Sequence, residues 1–217
     1  MLMSKRLSCS ILMACTLVLS VIFTSTQANF SFGFNFGVAG HYGCGSNAGK
    51  TISNMKSHTS AERFLLLGDY SYQSSGSCFF NLVDSKGIKS RSKITIGNHE
   101  DDSSEGFSGY MNFFGLSQTY YAFTYGNARV IVMDSDRNSF SSGSNQYNFV
   151  ISQLQSASQD SNIKWIIVYL HKQMYTSPNT CGSGSCSNTG SDATNLRNTY
   201  HAKFVQYGVD VVLNGHL

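Results

Sequence analysis

Apolar residues fall in short runs along this chain, and most runs stop at a glycine or a polar residue. Arg63 to Leu67 is followed by Gly68-Asp69, and Lys93 to Ile96 by Gly97-Asn98. Val209 to Leu213 is followed by Asn214-Gly215. Runs of this length bounded by turn residues predict buried strands. Phe34 to Ala39 predicts another, entering the turn Gly40-His41-Tyr42-Gly43-Cys44-Gly45, and Lys164 to Leu170 predicts an apolar strand with Trp165 inside it. Tyr120 to Tyr125 and Ala128 to Met133 predict paired strands around Gly126-Asn127. Elsewhere the period changes. Phe149, Leu154 and Ala157 share a helical face with Val150 or Ile151, which predicts a helix over Asn145 to Ala157. Ala48 to Ser57, Phe79 to Asp84 and Thr194 to Tyr207 predict further helices, the last with Asp192 as its N-cap.

Strands alternating with helices predict an α/β fold built from βαβ units. His41 and Asp69 are 28 residues apart, and Asp69 and Asn98 are 29 apart. Each spacing is close to one βαβ unit, so the three residues are expected on successive loops at one end of a sheet, where open α/β sheets build their sites. The serine-rich stretches Gln73 to Ser77, Asp101 to Ser108, Asn138 to Asn145 and Pro178 to Ser191 read as surface loops.

Composition narrows the class. A chain of 217 residues is sized for one domain, and 41% hydrophobic residues supply a core. Only 12% are charged, so the polar surface must come from Ser, Asn, Thr, Gln and the 20 Gly. A net charge of +3, scattered along the chain, gives no ground for a nucleic-acid partner or an anionic membrane surface. At the N-terminus, Lys5 and Arg6 precede the apolar stretch Leu7 to Phe23, and Ser25-Thr26-Gln27-Ala28 offers a cut after Ala28. That is the layout of a secretory signal over residues 1–28, with a single membrane anchor as the alternative. The expected mature domain is 29–217, secreted, with no membrane attachment after cleavage. Export permits disulfides. Cys181 and Cys186, which enclose four small residues, are expected to form a local staple, leaving Cys44 to pair with Cys78. Free buried thiols are the alternative; a four-Cys zinc site lacks the usual spacing.

Five strand ends finish in residues able to hold a metal: His41, Asp69, Asn98, His171 and His216. Imidazole, carboxylate and amide oxygen together suit borderline and hard cations, and Asp69 offers two oxygens to bridge a pair of them. A two-metal site stabilises both the attacking and the leaving oxygen of a phosphoryl displacement.

The order of motifs resembles the calcineurin-like metallophosphoesterases, in their purple acid phosphatase branch. Gly68-Asp69-Tyr70-Ser71-Tyr72 is a complete GDxxY, Gly97-Asn98-His99-Glu100 a complete GNHE, and Val168-Tyr169-Leu170-His171 a complete VxxH. Gly215-His216-Leu217 supplies the first three residues of GHxH. The resemblance implies a sandwich of two mixed β-sheets flanked by helices, with a dimetal centre at the strand ends. It implies that His41, Asp69 and Tyr72 face a first metal, and that Asp69, Asn98, His171 and His216 hold a second. Tyr72 would bind as phenolate, and His99 would contact the phosphate and protonate the leaving oxygen. The implied metals are iron with zinc, manganese or a second iron, and the implied substrate is a phosphate monoester. A phosphodiesterase or nucleotidase, or a catalytically impaired metal-binding domain, are the rival expectations.

Two departures stand out. His41-Tyr42-Gly43 occupies the place of the family's DxG, which puts a neutral imidazole where an anion is usual and favours a divalent ion. The chain also stops at Leu217, one residue before the last His of GHxH, and reads as C-terminally truncated. The other candidates read as structural: His58 and His201 as surface or packed histidines, Asp134 and Asp136 as a solvated turn, and Glu100, Asp101, Asp102 and Glu105 as a solvated acidic loop.

Overall fold

The computed structural model describes residues 33–57, 60–175 and 191–216. The proposed signal at 1–28, His58 and the Cys181–Cys186 pair lie outside the described residues. Strands β1 (Phe36–Ala39), β2 (Arg63–Leu66) and β3 (Ser92–Ile94) form one sheet in that order, parallel throughout. Strands β4 (Tyr121–Tyr125), β5 (Ala128–Val132), β6 (Trp165–Leu170) and β7 (Val211–Asn214) form a second, with β4 and β5 antiparallel and the other pairs parallel. Helices α1 (Ser46–Ser57), α2 (Ser77–Ser85) and α3 (Gly106–Phe114) supply side chains to the core beside the first sheet. Helix α4 (Asn145–Gln159), and α5 (Ser191–Leu196) continuing through a π-helical turn, Arg197–His201, into α6 (Ala202–Gln206), serve the second.

Side-chain alternation explains the layers. In β2, Phe64 and Leu66 face the helices with Ile52, Phe79 and Val83, while Leu65, and Leu67 just beyond the strand, face the other sheet. In β5 and β6, Val130, Val132, Ile167 and Tyr169 meet Leu65 and Leu67, while Ile131, Val168 and Leu170 pack on Val150, Leu154 and Phe204. Strands covered on both faces must be apolar on both, hence unbroken runs. Each fully buried side chain of this kind contributes about 2 kcal/mol. Trp165 is the exception: it stands at the first position of β6 and is 48% exposed. The two sheets are joined at their edges by Tyr121. Its hydroxyl donates to the Ile94 carbonyl at 2.8 Å and accepts from the Ile94 N–H at 3.0 Å, sealing the free edge of β3.

Three expectations need correction. Helix α3 begins inside the stretch Asp101 to Ser108, which is expected as a surface loop. Phe107, Tyr110, Met111 and Phe114 recur at helical spacing against the first core, and this burial outweighs the poor propensity of two glycines. Asp192 lies in the first turn of α5, and its carboxylate accepts from Lys172 Nζ at 2.7 Å. Asp134 is fully buried. One of its oxygens accepts from the N–H groups of Asp136 and Arg137 and the other from Asn138, so this is a buried turn clamp.

Cys44 and Cys78 are bridged, with Cα atoms 5.8 Å apart. The bridge ties the loop after β1 to the first turn of α2. Closing a separation of 34 residues restricts the unfolded chain by about 4 kcal/mol. Replacing both cysteines by serine is expected to lower the denaturant midpoint by a corresponding amount. An unchanged midpoint would show that the bridge adds no stability.

Candidate metal centre

Five loops at the C-terminal ends of the parallel strands carry the site. The loop after β1 brings His41, whose N–H bonds the Gly68 carbonyl at 3.1 Å. The loop after β2 brings Asp69 and Tyr72, and a short 3₁₀ turn beyond β3 brings Asn98 and His99. His171 follows β6 directly, and the Gly215 N–H bonds the His171 carbonyl at 2.9 Å, which places His216 beside it.

His41, Asp69, Tyr72 and His216 all hold φ between 53° and 61°. Such left-handed backbone costs about 1 kcal/mol or more at a non-glycine residue and concentrates at functional sites. Two glycines allow the loops to approach. A Cβ on Gly68 would lie 2.5 Å from His171 Nδ1, and one on Gly97 would lie 2.5 Å from Asp69 Oδ1. The glycines before Asp69 and Asn98 are therefore set by packing around the site's own side chains.

The site divides around the Asp69 carboxylate, which is 1% exposed. Its Oδ2 accepts from the Tyr72 hydroxyl at 3.0 Å and lies 3.6 Å from His41 Nε2. Tyr72 also meets His41 Nδ1. Its Oδ1 lies 3.3 Å from His171 Nε2 and accepts from the His99 N–H at 3.2 Å. His171 Nε2 is 3.1 Å from Asn98 Oδ1 and 3.1 Å from His216 Nδ1. All six residues expected to bear on a metal are thus brought together. Ligand atoms of His41, Asp69 and His171 lie within 4.8 Å of one another.

The chemistry of this donor set fits a cation. His171 Nδ1 sits 2.7 Å from the Leu67 carbonyl, which can only accept, so Nδ1 carries a proton. In a neutral ring, Nε2 then turns a lone pair toward oxygens of Asp69 and Asn98. Only positive charge relieves that crowding. The same environment acts on a proton: burial pulls His171 down, but the Asp69 hydrogen bond and charge outweigh it and raise its pKa. Burial likewise pushes Asp69 up, and the His171 hydrogen bond outweighs it, holding the carboxyl at about 2. His41 and His216 are both lowered, first by burial, with His171 adding repulsion. Burial and the Asp69 charge raise Tyr72, so its phenol keeps its proton near neutral pH.

His99 stands beside this centre. Its ring is 4.5 Å from that of Tyr72, and its Nδ1 is 2.6 Å from Asp102 Oδ2. Within the acidic stretch, Asp101 and Asp102 are exposed as expected, but Glu100 is not. Glu100 is fully buried, and its carboxylate accepts the N–H groups of Asp69, Tyr70 and Gly97 at 3.1, 2.8 and 2.5 Å. Asp101 pairs with Arg137, and Glu105 accepts from Ser75, Gly76 and Ser77. Sequence reasoning missed Glu100 and Asp102 as supports of the site. Their proximity to Asn98 and His99 was the available signal. His201 lies on the π-helical turn, bonded to Tyr175, and belongs to no metal cluster among the described residues.

Known proteins resemble this chain in sequence. The family described as calcineurin-like phosphoesterase matches residues 41–217. A purple acid phosphatase of Ipomoea batatas is 25% identical over 205 residues, covering 84% of this chain and 41% of its own length. An uncharacterized protein of Mycobacterium tuberculosis is 28% identical over 142 residues, covering 55% of this chain and 25% of its own. The chain therefore spans well under half the length of these curated relatives.

Proposed function

The chain belongs to the calcineurin-like phosphoesterase family, and on that premise we propose that it is an exported, metal-dependent phosphomonoesterase. One observation carries the reading: the two oxygens of Asp69 face two different ligand groups, His41 with Tyr72 and His171 with Asn98 and His216. That division suits two cations sharing one carboxylate, with iron beside zinc, manganese or a second iron as the pair. Such ions supply Lewis acidity toward phosphoryl oxygens and make water a nucleophile near neutral pH. The protein's own part is positional. Asp69 sets the spacing of the two groups, and Tyr72 gives the first its phenol oxygen. His171 is fixed by its bond to Leu67, which settles the tautomer and aims Nε2 inward. His99, held at Nδ1 by Asp102, keeps Nε2 to give a proton to the departing ester oxygen. The signal-like residues 1–28 and the bridged Cys44 and Cys78 support export.

Metal reconstitution followed by assay against p-nitrophenyl phosphate and bis(p-nitrophenyl) phosphate tests the reading. Two bound equivalents and faster monoester turnover are expected. Faster diester turnover would replace it with the phosphodiesterase reading. His41 favours one further alternative, a metal-binding domain with impaired catalysis, which tight metal binding without turnover would establish.

Asp102→Asn is expected to lower kcat about tenfold for alkyl phosphates and less for nitrophenyl esters, whose leaving groups need little protonation. The measurement is the dependence of kcat on leaving-group pKa. A uniform loss across esters would show that Asp102 does not position the acid.

A further inference from the structure

Two cavities lie away from the metal centre and meet at Gly115. One, of about 400 Å³, is walled by Tyr120, Phe149, Arg129 and Gln153. The other, of about 490 Å³, is walled by Lys89, Lys93, Asn112 and Phe113. The metal-centre loops follow the C-terminal ends of the parallel strands. Lys93 and Arg129, by contrast, sit near the N-terminal ends of β3 and β5. Lys93 and Asn98 are five residues apart along extended chain, about 16 Å.

The charge in these cavities is one-sided. None of the described residues lining them is acidic. Lys89 Nζ lies 3.8 Å from the centre of the Phe113 ring, and Lys93 Nζ 5.6 Å from that of Phe123. Arg129 is half-buried and donates to Thr124 Oγ1 at 3.0 Å and to Gln153 Oε1, both neutral. Each cation is steadied by a ring face or a neutral oxygen, and none is neutralised by a carboxylate among the described residues. A partly desolvated cation without a counter-charge recruits an anion. Ring faces beside Lys89 and Lys93, and the side-chain oxygens beside Arg129, keep the ammonium and guanidinium groups in place at small entropic cost.

We propose that this groove binds an anion bearing two or more oxyanion groups, phosphate or sulfate, strung along a chain. Lys89 and Lys93 take one end and Arg129 the other, with Asn112 and the amide of Gln153 as neutral donors. The three cations are scattered in sequence; β3, the end of α3 at Gly115 and the β4–β5 pair place them along the two cavities. The site is independent of the catalytic reading: it needs no metal and shares no residue with the metal centre.

The test titrates the full chain, stripped of metal, with tripolyphosphate in one arm and a sulfated heparin hexasaccharide in the other. Binding at low ionic strength is expected, weakening as salt rises. Lys93→Gln with Arg129→Gln should weaken it by about tenfold per cation removed. Lys93→Arg with Arg129→Lys should retain it, which separates loss of charge from loss of fold. Asp69→Asn should leave it unchanged. Binding in only one arm identifies the source as phosphate or sulfate and supports the site. Absence of binding in both arms, or loss with Asp69→Asn but not with the double Gln variant, would overturn it.

Discussion

Asp69→Asn is expected to weaken metal binding by more than about a hundredfold and to remove hydrolytic activity with it. Changes to mere supports of a metal ligand already cost tenfold to a hundredfold, and Asp69 is placed to serve both halves of the site. Asparagine is the informative replacement because it tolerates the left-handed backbone that Asp69 holds, at φ 56°. It keeps one oxygen and loses the charge. The loss would also show in the metal-free protein. His171 is raised by the Asp69 hydrogen bond and charge, so its titration should move down in the variant. Calorimetric metal titration beside imidazole NMR reads both effects. A variant that still binds two metals tightly would sink the bridging role.

Glu100→Ala is expected to destabilise the fold by roughly 4 kcal/mol, because three buried N–H groups lose a common acceptor. Those groups belong to the loops that carry Asp69 and Asn98, so metal affinity should fall as well. Burial pushes Glu100 up to about 7, with the N–H groups of Tyr70 and Gly97 opposing it. The folded state therefore holds a proton that the unfolded state releases from about pH 4.5. Its contribution is complete below that value and declines as pH rises toward about 7, by about 3 kcal/mol in all. Denaturant unfolding of the metal-free protein from pH 4.5 to 8 should show this decline. Glu100→Gln should flatten it, at some cost in stability, since its amide nitrogen would face an N–H group. A decline that persists in Glu100→Gln would assign it to another group.

Periodicity was a good guide where burial is periodic. Val130 to Val132 and Ile166 to Leu170 are apolar on alternate faces because each face meets a different layer, and that requirement is written residue by residue. The strand-end positions of His41, Asp69, Asn98, His171 and His216 were legible for a related reason. Parallel strands joined by helices must deliver their C-terminal loops to one end. Motif spacing therefore implied which side chains meet.

Burial of a loop side chain has no such local code. Glu100 and Asp102 sit two residues apart with the same charge. One is sealed because N–H groups of Asp69, Tyr70 and Gly97 converge on it; the other, beside His99, is largely exposed. Asp134 looked like a surface turn and is fully buried, since the backbone folds around its carboxylate. Helix α3 formed against propensity because the first core lay ready to take Tyr110 and its neighbours. Lys89, Lys93 and Arg129 looked scattered until the sheet edges met. The amino-acid order by itself determined which segments extend or coil and which residues stand at their ends, since those depend on neighbours within a turn or two. Only the tertiary structure decided which polar groups are buried, paired or gathered, because that depends on how the loops fold around them and, for Glu100, on N–H groups of Asp69 and Tyr70 brought in from about 30 residues away, one βαβ unit of chain.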